Sequence, residues 1–166
     1  MCIRDSRQEE HRLFVDLVMP EAEHLRSMVR SGVLPRDALF GMDSVGAIPY
    51  VSELRVIDRL GLNDAFVARS GGSSPESLVA HGKRASWAYA VEAGADVWAF
   101  DPVHTLVRED GPKLAELTAN ARELRVPVYR ADAGEGWVLV GLLPQGPAAA
   151  GARFPRLRFE SLVDGS

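Results

Sequence analysis

The sequence has little cysteine and no long uninterrupted apolar run. Its single cysteine, Cys2, excludes an internal disulfide and a zinc site built from thiolates. The longest stretch without a charged residue, 136–152, contains two prolines and four glycines. It falls short of the roughly 20 consecutive apolar residues that a membrane-spanning helix requires. The first residues also lack the apolar centre of a secretory signal. We therefore expect no membrane span and no signal peptide within these residues.

Excess positive charge is also lacking. The 166 residues include 19 Lys plus Arg and 23 Asp plus Glu, for a net charge of -4. A nucleic-acid partner is therefore not expected, because the backbone of DNA or RNA selects a broad basic surface. The apolar share of 46% and the chain length suffice for one hydrophobic core.

The first six residues look foreign to the rest of the chain. Residues 1–6, MCIRDS, resemble a translated sequencing adapter, so we expect a non-native prefix there rather than a disordered native terminus. We divide the remainder into three parts by composition. These are an N-terminal amphipathic helix over 7–34, an α/β domain over 35–143, and a linker with a possible edge strand over 144–166.

The apolar pattern predicts alternating strands and helices. Apolar residues at spacings of three and four predict a helix that is interrupted or restarted at Pro20 and ends at Ser31 and Gly32. Shorter patterns predict further elements: strands at 38–43, 54–58 and 96–101, helices at 84–93 and 112–125, and a hairpin of 126–131 with 136–143. This order predicts a single three-layer α/β domain with a mixed, mostly parallel sheet and a C-terminal hairpin.

Carboxylates follow each of the three predicted strands. Asp43, Asp58 and Asp101 stand at these strand ends, where open α/β sheets bind their ligands. Together with Asp64 they suit a metal ion or a sugar hydroxyl. Aspartate is also common at strand ends because its side chain caps nearby backbone N–H groups. The sequence leaves both interpretations open.

Two further features suit a polar ligand. The run from His81 to Arg84 combines an imidazole, a glycine, Lys83 and an arginine, which suits a phosphate or carboxylate but equally a solvated basic turn. Tyr50 follows a small apolar turn and is the aromatic residue that we least expect in the core, so it is a candidate for stacking on a sugar. The chain contains neither H-E-x-x-H nor G-x-S-x-G, and we assign no catalytic residue and no metal ligand.

Three segments together resemble a known protein family. Residues 43–50 read DSVGAIPY, residues 56–64 read VIDRLGLND, and residues 81–83 read HGK. This pattern resembles the extracytoplasmic C-terminal domain of bacterial polytopic GT-C type glycosyltransferases, such as the family 39-like mannosyltransferases and the arabinofuranosyltransferases. The resemblance covers about residues 35–101 and departs from the family at 69–80, where the loop is rich in serine and glycine.

The resemblance implies a function for a longer protein. Such enzymes transfer a sugar from a polyprenyl-phosphate donor to a glycan or lipid acceptor of the cell envelope, at the extracytoplasmic face of the inner membrane. The catalytic carboxylate of the family lies in an N-terminal membrane module that is missing here, so this fragment would hold no catalytic residue and no cofactor of its own. The residues that match, and that we take as candidates for substrate binding, are Asp43, Tyr50, Asp58, Asp64, His81 and Lys83.

Two other functions remain open from the sequence. One is a stand-alone α/β enzyme that uses Asp43, Asp58 and Asp101 around a metal ion or a phosphorylated sugar. The other is a carbohydrate-binding module built on Tyr50 and the loop at 69–84.

Overall fold

The computed structural model describes residues 11–43, 45–70, 72–73, 83–101 and 104–163. A π-helical segment, Leu13–Val18, precedes the α-helices α1 (Met19–Arg30), α2 (Ala47–Ser52), α3 (Ala65–Ser70), α4 (Trp87–Glu92), α5 (Pro112–Leu124) and α6 (Pro147–Arg153). The strands are β1 (Leu39–Met42), β2 (Arg55–Asp58), β3 (Gly72–Ser73), β4 (Lys83–Arg84), β5 (Val97–Trp98), β6 (Leu106–Arg108), β7 (Tyr129–Gly134), β8 (Trp137–Gly141) and β9 (Phe159–Ser161).

The first long helix begins and ends where the sequence predicts. Pro20 lies in the first turn of α1, directly after the π-helical segment. At the other end, Gly32 follows the capping residue Ser31 with a φ of +73°, a conformation that glycine adopts at little cost. Leu25 and Met28 on α1 are buried. The predicted helix is thus confirmed, and Pro20 opens α1 rather than breaking it.

Three parallel strands form the first sheet, in the order β2-β1-β5. Gly41 in the central strand lies against the indole ring of Trp98 in the neighbouring strand. A Cβ atom at position 41 would overlap that ring. Because the ring occupies the space of a side chain, only glycine fits this position of β1.

Four antiparallel strands form the second sheet, in the order β6-β8-β7-β9. The predicted C-terminal hairpin is confirmed as β7 and β8, with its turn at Glu135 and Gly136, which both have a positive φ. Two hydrogen bonds between the backbones of Trp98 and Leu142 join this sheet to the parallel one. The mixed α/β class is therefore confirmed, and parallel pairing is confined to the first sheet among the described residues.

Residues 144–163 contain a helix, α6, that their alanine- and glycine-rich composition did not indicate, and an edge strand, β9, that pairs with β7. Phe154 at the end of α6 is completely buried. This part of the chain therefore belongs to the packed domain.

Helices cover both faces of the sheets. On one face, α1 packs over Phe40, Leu106 and Leu139, which belong to a single buried cluster. On the other face, α5 packs through Leu117 on a cluster with Val138, while α4 covers Ile57 and Trp98. Within the described residues, no helix combines the length and the apolar character needed to cross a bilayer. The arrangement is the predicted three-layer α/β domain.

Candidate functional site

The carboxyl ends of the three parallel strands meet at one edge of the sheet. The chain passes from β1 to β2 on one side and later returns to β5 on the other side of β1. The segments that follow β1 and β5 therefore leave the sheet side by side, in the position where open α/β sheets bind ligands. Asp43 and Asp101 lie in these segments. We call the group of Asp43, Asp58, Arg59, Arg84 and Asp101 the carboxyl edge.

Asp43 lies at the centre of this edge. Its side chain is only 10% exposed, and its Oδ1 atom is 3.2 Å from Nε of Arg59 while its Oδ2 atom is 3.8 Å from Nη1 of Arg84. The Oδ1 atom is buried and accepts no hydrogen bond, so the contact with Arg59 is an ion pair without an aligned N–H. Burial raises the pKa of Asp43 despite the two guanidinium groups, and the negative charges of Asp58 and Asp101 act in the same direction as burial.

Arg59 links the ends of the three strands. From the end of β2 it reaches Asp43 after β1, and its Nη1 atom donates a 2.6 Å hydrogen bond to the carbonyl oxygen of Ala99 after β5. Its guanidinium carbon lies 5.4 Å from the centre of the Trp98 ring, in a cation–π contact. Burial lowers the pKa of Arg59, and the nearby Asp43 opposes that effect. Arg59 therefore fixes the relative positions of the strand ends.

Arg84 comes to this edge from a distant part of the sequence. The backbone N–H of Ala85 donates a 2.8 Å hydrogen bond to the carbonyl oxygen of Arg59, which places the end of β4 beside the end of β2. The side chain of Arg84 is 54% exposed, whereas that of Arg59 is 15% exposed. Of the two arginines that contact Asp43, Arg84 is thus the one that solvent or a ligand reaches.

Asp101 closes the other side of the edge. Its Oδ2 atom lies 2.8 Å from Nζ of Lys113 on α5, and its Oδ1 atom accepts a hydrogen bond from the backbone N–H of His104. Burial alone would lower the pKa of Lys113, but the hydrogen bond to Asp101 and the charge of Glu116 outweigh it, so the pKa is raised. The ion pair therefore holds α5 against the segment after β5.

Asp58 holds its own loop. The residue is 2% exposed, and its carboxylate accepts hydrogen bonds from the backbone N–H groups of Leu60, Gly61 and Asn63. These three bonds shape the turn after β2 and occupy both carboxylate oxygens. Of the two interpretations that the sequence left open for this carboxylate, the structure supports the capping role.

Asp64 has a similar role at the next helix. Its Oδ1 atom accepts hydrogen bonds from the backbone N–H groups of Phe66 and Val67, which caps the start of α3. Its Oδ2 atom accepts a 2.9 Å hydrogen bond from the hydroxyl of Tyr89 on α4, whose ring stacks on Phe66 with centres 4.4 Å apart. Asp64 therefore joins α3 to α4.

The remaining candidates differ in their exposure. Tyr50 is 88% exposed on α2, the helix that follows Asp43 in sequence. Lys83 lies in β4, opposite Ser73 of β3. His81 lies outside the described residues. Of the residues that match the resemblance, Tyr50 is thus the most exposed side chain that the structure describes.

The sequence indicated Arg84 only as part of the basic run 81–84 and did not indicate Arg59, so the contact of both arginines with Asp43 was missed. Arg59 directly follows the strand-end Asp58, and Arg84 directly follows Lys83, so a cation beside each of two candidate residues was the signal available. Across the described ranges, no three His, Cys, Asp or Glu side chains are grouped in a way that can hold a metal ion. The carboxyl edge presents the partly exposed guanidinium of Arg84 beside the buried carboxylate of Asp43. A guanidinium in this position is suited to bind a hydroxyl or an anionic group of a ligand.

Comparisons with known proteins give one family. A family model described as a domain of unknown function (DUF8728) matches residues 15–155, which is most of the chain. No curated protein matches the chain. No solved structure matches it either.

Proposed function

The chain belongs to the DUF8728 family, and we propose that it serves as the extracytoplasmic domain of a bacterial polytopic GT-C type glycosyltransferase. In this role it binds the cell-envelope acceptor, a glycan or a lipid, while sugar transfer from the polyprenyl-phosphate donor takes place in a membrane module encoded upstream. The fragment itself is not catalytic.

One observation carries the proposal. The separate sequence segments that resemble this glycosyltransferase domain converge on the carboxyl edge. Asp43 comes from the first segment, Asp58 and Arg59 come from the second, and Arg84 adjoins Lys83 of the third. Parts of a pattern scattered over the sequence thus meet at one place in the fold.

The roles of the matched residues agree with a binding domain. Asp58 and Asp64 direct their carboxylates to backbone N–H groups, which is a structural role. Tyr50 makes no such contact among the described residues and presents its ring to solvent. An exposed tyrosine ring is suited to stacking on the apolar face of a sugar. We assign acceptor binding to Tyr50 and Arg84.

The proposal excludes a stand-alone metal enzyme built on strand-end carboxylates. Such an enzyme needs Asp43, Asp58 and Asp101 to turn free oxygens toward a common point. Asp58 instead uses both of its oxygens to hold the turn after β2, and Lys113 lies against Asp101. The charges of Asp58 and Asp101 act on Asp43 and help to raise its pKa, but each of the three carboxylates has its own partners.

The coding sequence upstream of residue 7 provides the first test. We expect an open reading frame that continues upstream in frame and encodes several apolar segments of about 18 residues or more. A stop codon directly upstream, followed by a native start near residue 7, would overturn the proposal.

Transfer assays with the full-length protein provide the second test. Membranes containing it are given a polyprenyl-phosphate-linked sugar and a cell-envelope acceptor fraction. We expect Tyr50→Ala and Arg84→Gln to raise the KM for the acceptor about tenfold, while kcat and the KM for the donor stay unchanged. Leu124→Ala, at an exposed leucine on α5, is the matched control and should behave like the wild type. A fall in kcat with an unchanged acceptor KM would contradict acceptor binding at this edge.

A further inference from the structure

An apolar cavity lies beside the N-terminal helical segment, and neither Tyr50 nor Arg84 lines it. Its volume is about 240 Å³. Its apolar lining includes Leu17, Leu106, Val107 and Trp137, and its charged lining includes Arg108 and Lys113. The walls come from the π-helical segment, from β6 with the turn after it, from the start of α5, and from the start of β8.

The π-helical segment forms one side of the entrance. Leu17 lines the cavity and is still 44% exposed, and Phe14 and Val15 in the same segment are exposed to a similar degree. A six-residue π-helix is uncommon, and such segments often occur at functional sites. Neighbouring exposed apolar side chains at the entrance of an apolar cavity indicate a surface that binds another molecule.

The charge at the cavity identifies the chemistry of that molecule. The lining contains two cations, Arg108 and Lys113, and one carboxylate, Asp16. Both cations also have carboxylate partners outside the lining. The guanidinium carbon of Arg108 lies 5.6 Å from the centre of the Trp137 ring, so this cation stands directly beside the apolar wall.

Arg108 is available to an anion. Its side chain is 51% exposed, and its Nη1 atom donates one hydrogen bond to the carbonyl oxygen of Glu135. Its carboxylate partner Asp110 lies 3.5 Å away and is 81% exposed. Such an exposed ion pair contributes little and is easily exchanged for a ligand anion. Lys113 is less available, because it contacts Asp101 and Glu116. The cavity therefore combines an apolar lining with one accessible guanidinium, that of Arg108.

We infer that this cavity binds the apolar chain of a single-chain amphiphile whose phosphate or carboxylate head contacts Arg108. Each methylene group of the amphiphile that moves from water into the cavity favours binding. The guanidinium of Arg108 favours an anionic head group over a neutral one. This inference does not depend on the proposed function, because it uses neither Tyr50, nor Arg84, nor the membrane module. The cavity meets the carboxyl edge at Lys113, which contacts Asp101.

Titration of the 166-residue chain tests the inference. The probe is dodecyl phosphate below its micelle-forming concentration, followed by tryptophan fluorescence and by calorimetry. We expect saturable binding at one site, about tenfold tighter than binding of dodecyl maltoside, and no binding of inorganic phosphate alone. Equal affinity for the two amphiphiles would overturn the assignment of the anionic head, and binding of inorganic phosphate alone would overturn the role of the apolar chain.

Matched variants locate the site. Leu17→Glu brings a negative charge to the entrance and should weaken dodecyl phosphate binding about tenfold or more. Leu124→Glu makes the same change at an exposed leucine outside the cavity and should bind like the wild type. Arg108→Gln should remove the preference for dodecyl phosphate over dodecyl maltoside. Melting curves by circular dichroism verify that each variant is folded.

Three results would overturn the proposed site. The first is unchanged dodecyl phosphate binding in folded Leu17→Glu, and the second is an unchanged head-group preference in folded Arg108→Gln. The third is binding of the wild type to phosphatidylglycerol vesicles without any binding of monomeric dodecyl phosphate, because that result would show adsorption to a lipid surface instead of insertion of a chain.

Discussion

Glu21 on α1 and Thr105 at the start of β6 are joined by two hydrogen bonds across 84 positions of sequence. The Oε1 atom of Glu21 accepts from the backbone N–H of Thr105 at 2.7 Å and from its hydroxyl at 2.8 Å. It also accepts from the backbone N–H of Leu106, and its Oε2 atom lies 3.4 Å from Nδ1 of His104. Glu21 is completely buried, so one carboxylate satisfies the polar groups that α1 and β6 bring into the core.

Replacement of Glu21 should therefore be costly. We expect Glu21→Ala to lower the free energy of unfolding by about 3 kcal/mol or more, because buried donors lose their acceptor. Urea denaturation measures the loss. Glu23→Ala, which removes a partly exposed carboxylate paired with Arg26 on the same helix, should cost under about 1 kcal/mol. Equal losses in free energy of unfolding for the two variants would show that the buried hydrogen bonds of Glu21 stabilise the fold no more than the exposed ion pair of Glu23 does.

The contact between Gly41 and Trp98 gives a second prediction. We expect Gly41→Ala to lower the free energy of unfolding by about 2 kcal/mol or more, because the new methyl group overlaps the indole ring. A shift of tryptophan fluorescence should accompany the loss. Gly151→Ala is the control, since position 151 lies in α6 with open space around it, and alanine there should stabilise the helix by about 0.5 to 1 kcal/mol. A neutral Gly41→Ala would contradict the packing of β1 against Trp98.

The matched residues of the resemblance should separate into two classes. We expect Asp58→Ala to cost about 2 to 3 kcal/mol, because three backbone N–H groups lose the buried carboxylate that accepts their hydrogen bonds. Tyr50→Ala should change stability by less than about 0.5 kcal/mol, because the side chain is almost fully exposed. Thermal melting of both variants distinguishes the structural residue from the candidate binding residue. A large loss for Tyr50→Ala would show that its ring supports the fold.

Two aspartates should influence the pH dependence of stability in opposite directions. Burial raises the pKa of Asp43 above its ordinary value of 3.8. As pH rises, the unfolded chain therefore releases the Asp43 proton before the folded chain does. The contribution of Asp43 to stability is fully present below 3.8 and is lost as pH rises through the raised pKa of the folded chain. The hydrogen bond from Arg153 lowers the pKa of Asp37 below its ordinary value of 3.8. The contribution of Asp37 to stability is therefore present above 3.8 and is lost as pH falls through the lowered pKa of the folded chain.

Urea midpoints between about pH 3 and pH 7 test this pair of effects. Relative to the wild type, Asp43→Asn should become more stable on going from acid to neutral pH. Asp37→Asn should show the reverse, with its deficit appearing only toward neutral pH. Changes of the same sign in both variants would show that burial does not control the ionisation of Asp43.

Several elements were predictable because their causes are local. The extent of α1 follows from the spacing of its apolar residues and from the positions of Pro20 and Gly32. The strands β1 and β2 follow from short apolar runs that end in aspartate. The common edge of Asp43, Asp58 and Asp101 was also predictable, because parallel strands that follow one another through helices end on the same side of their sheet. The sequence by itself thus determined the α/β class, the hairpin and the place of the candidate site.

The roles of individual side chains were decided by tertiary structure alone. Nothing within α1 indicates that Glu21 is buried, since its partners arrive with β6. Asp43 and Asp58 look alike in sequence, yet one lies between two arginines from other segments and the other binds its own turn. The sequence determined which residues stand at the strand ends. Only the fold decided which of them face partners, because hydrogen bonds and ion pairs depend on distances between segments that the order of residues does not specify.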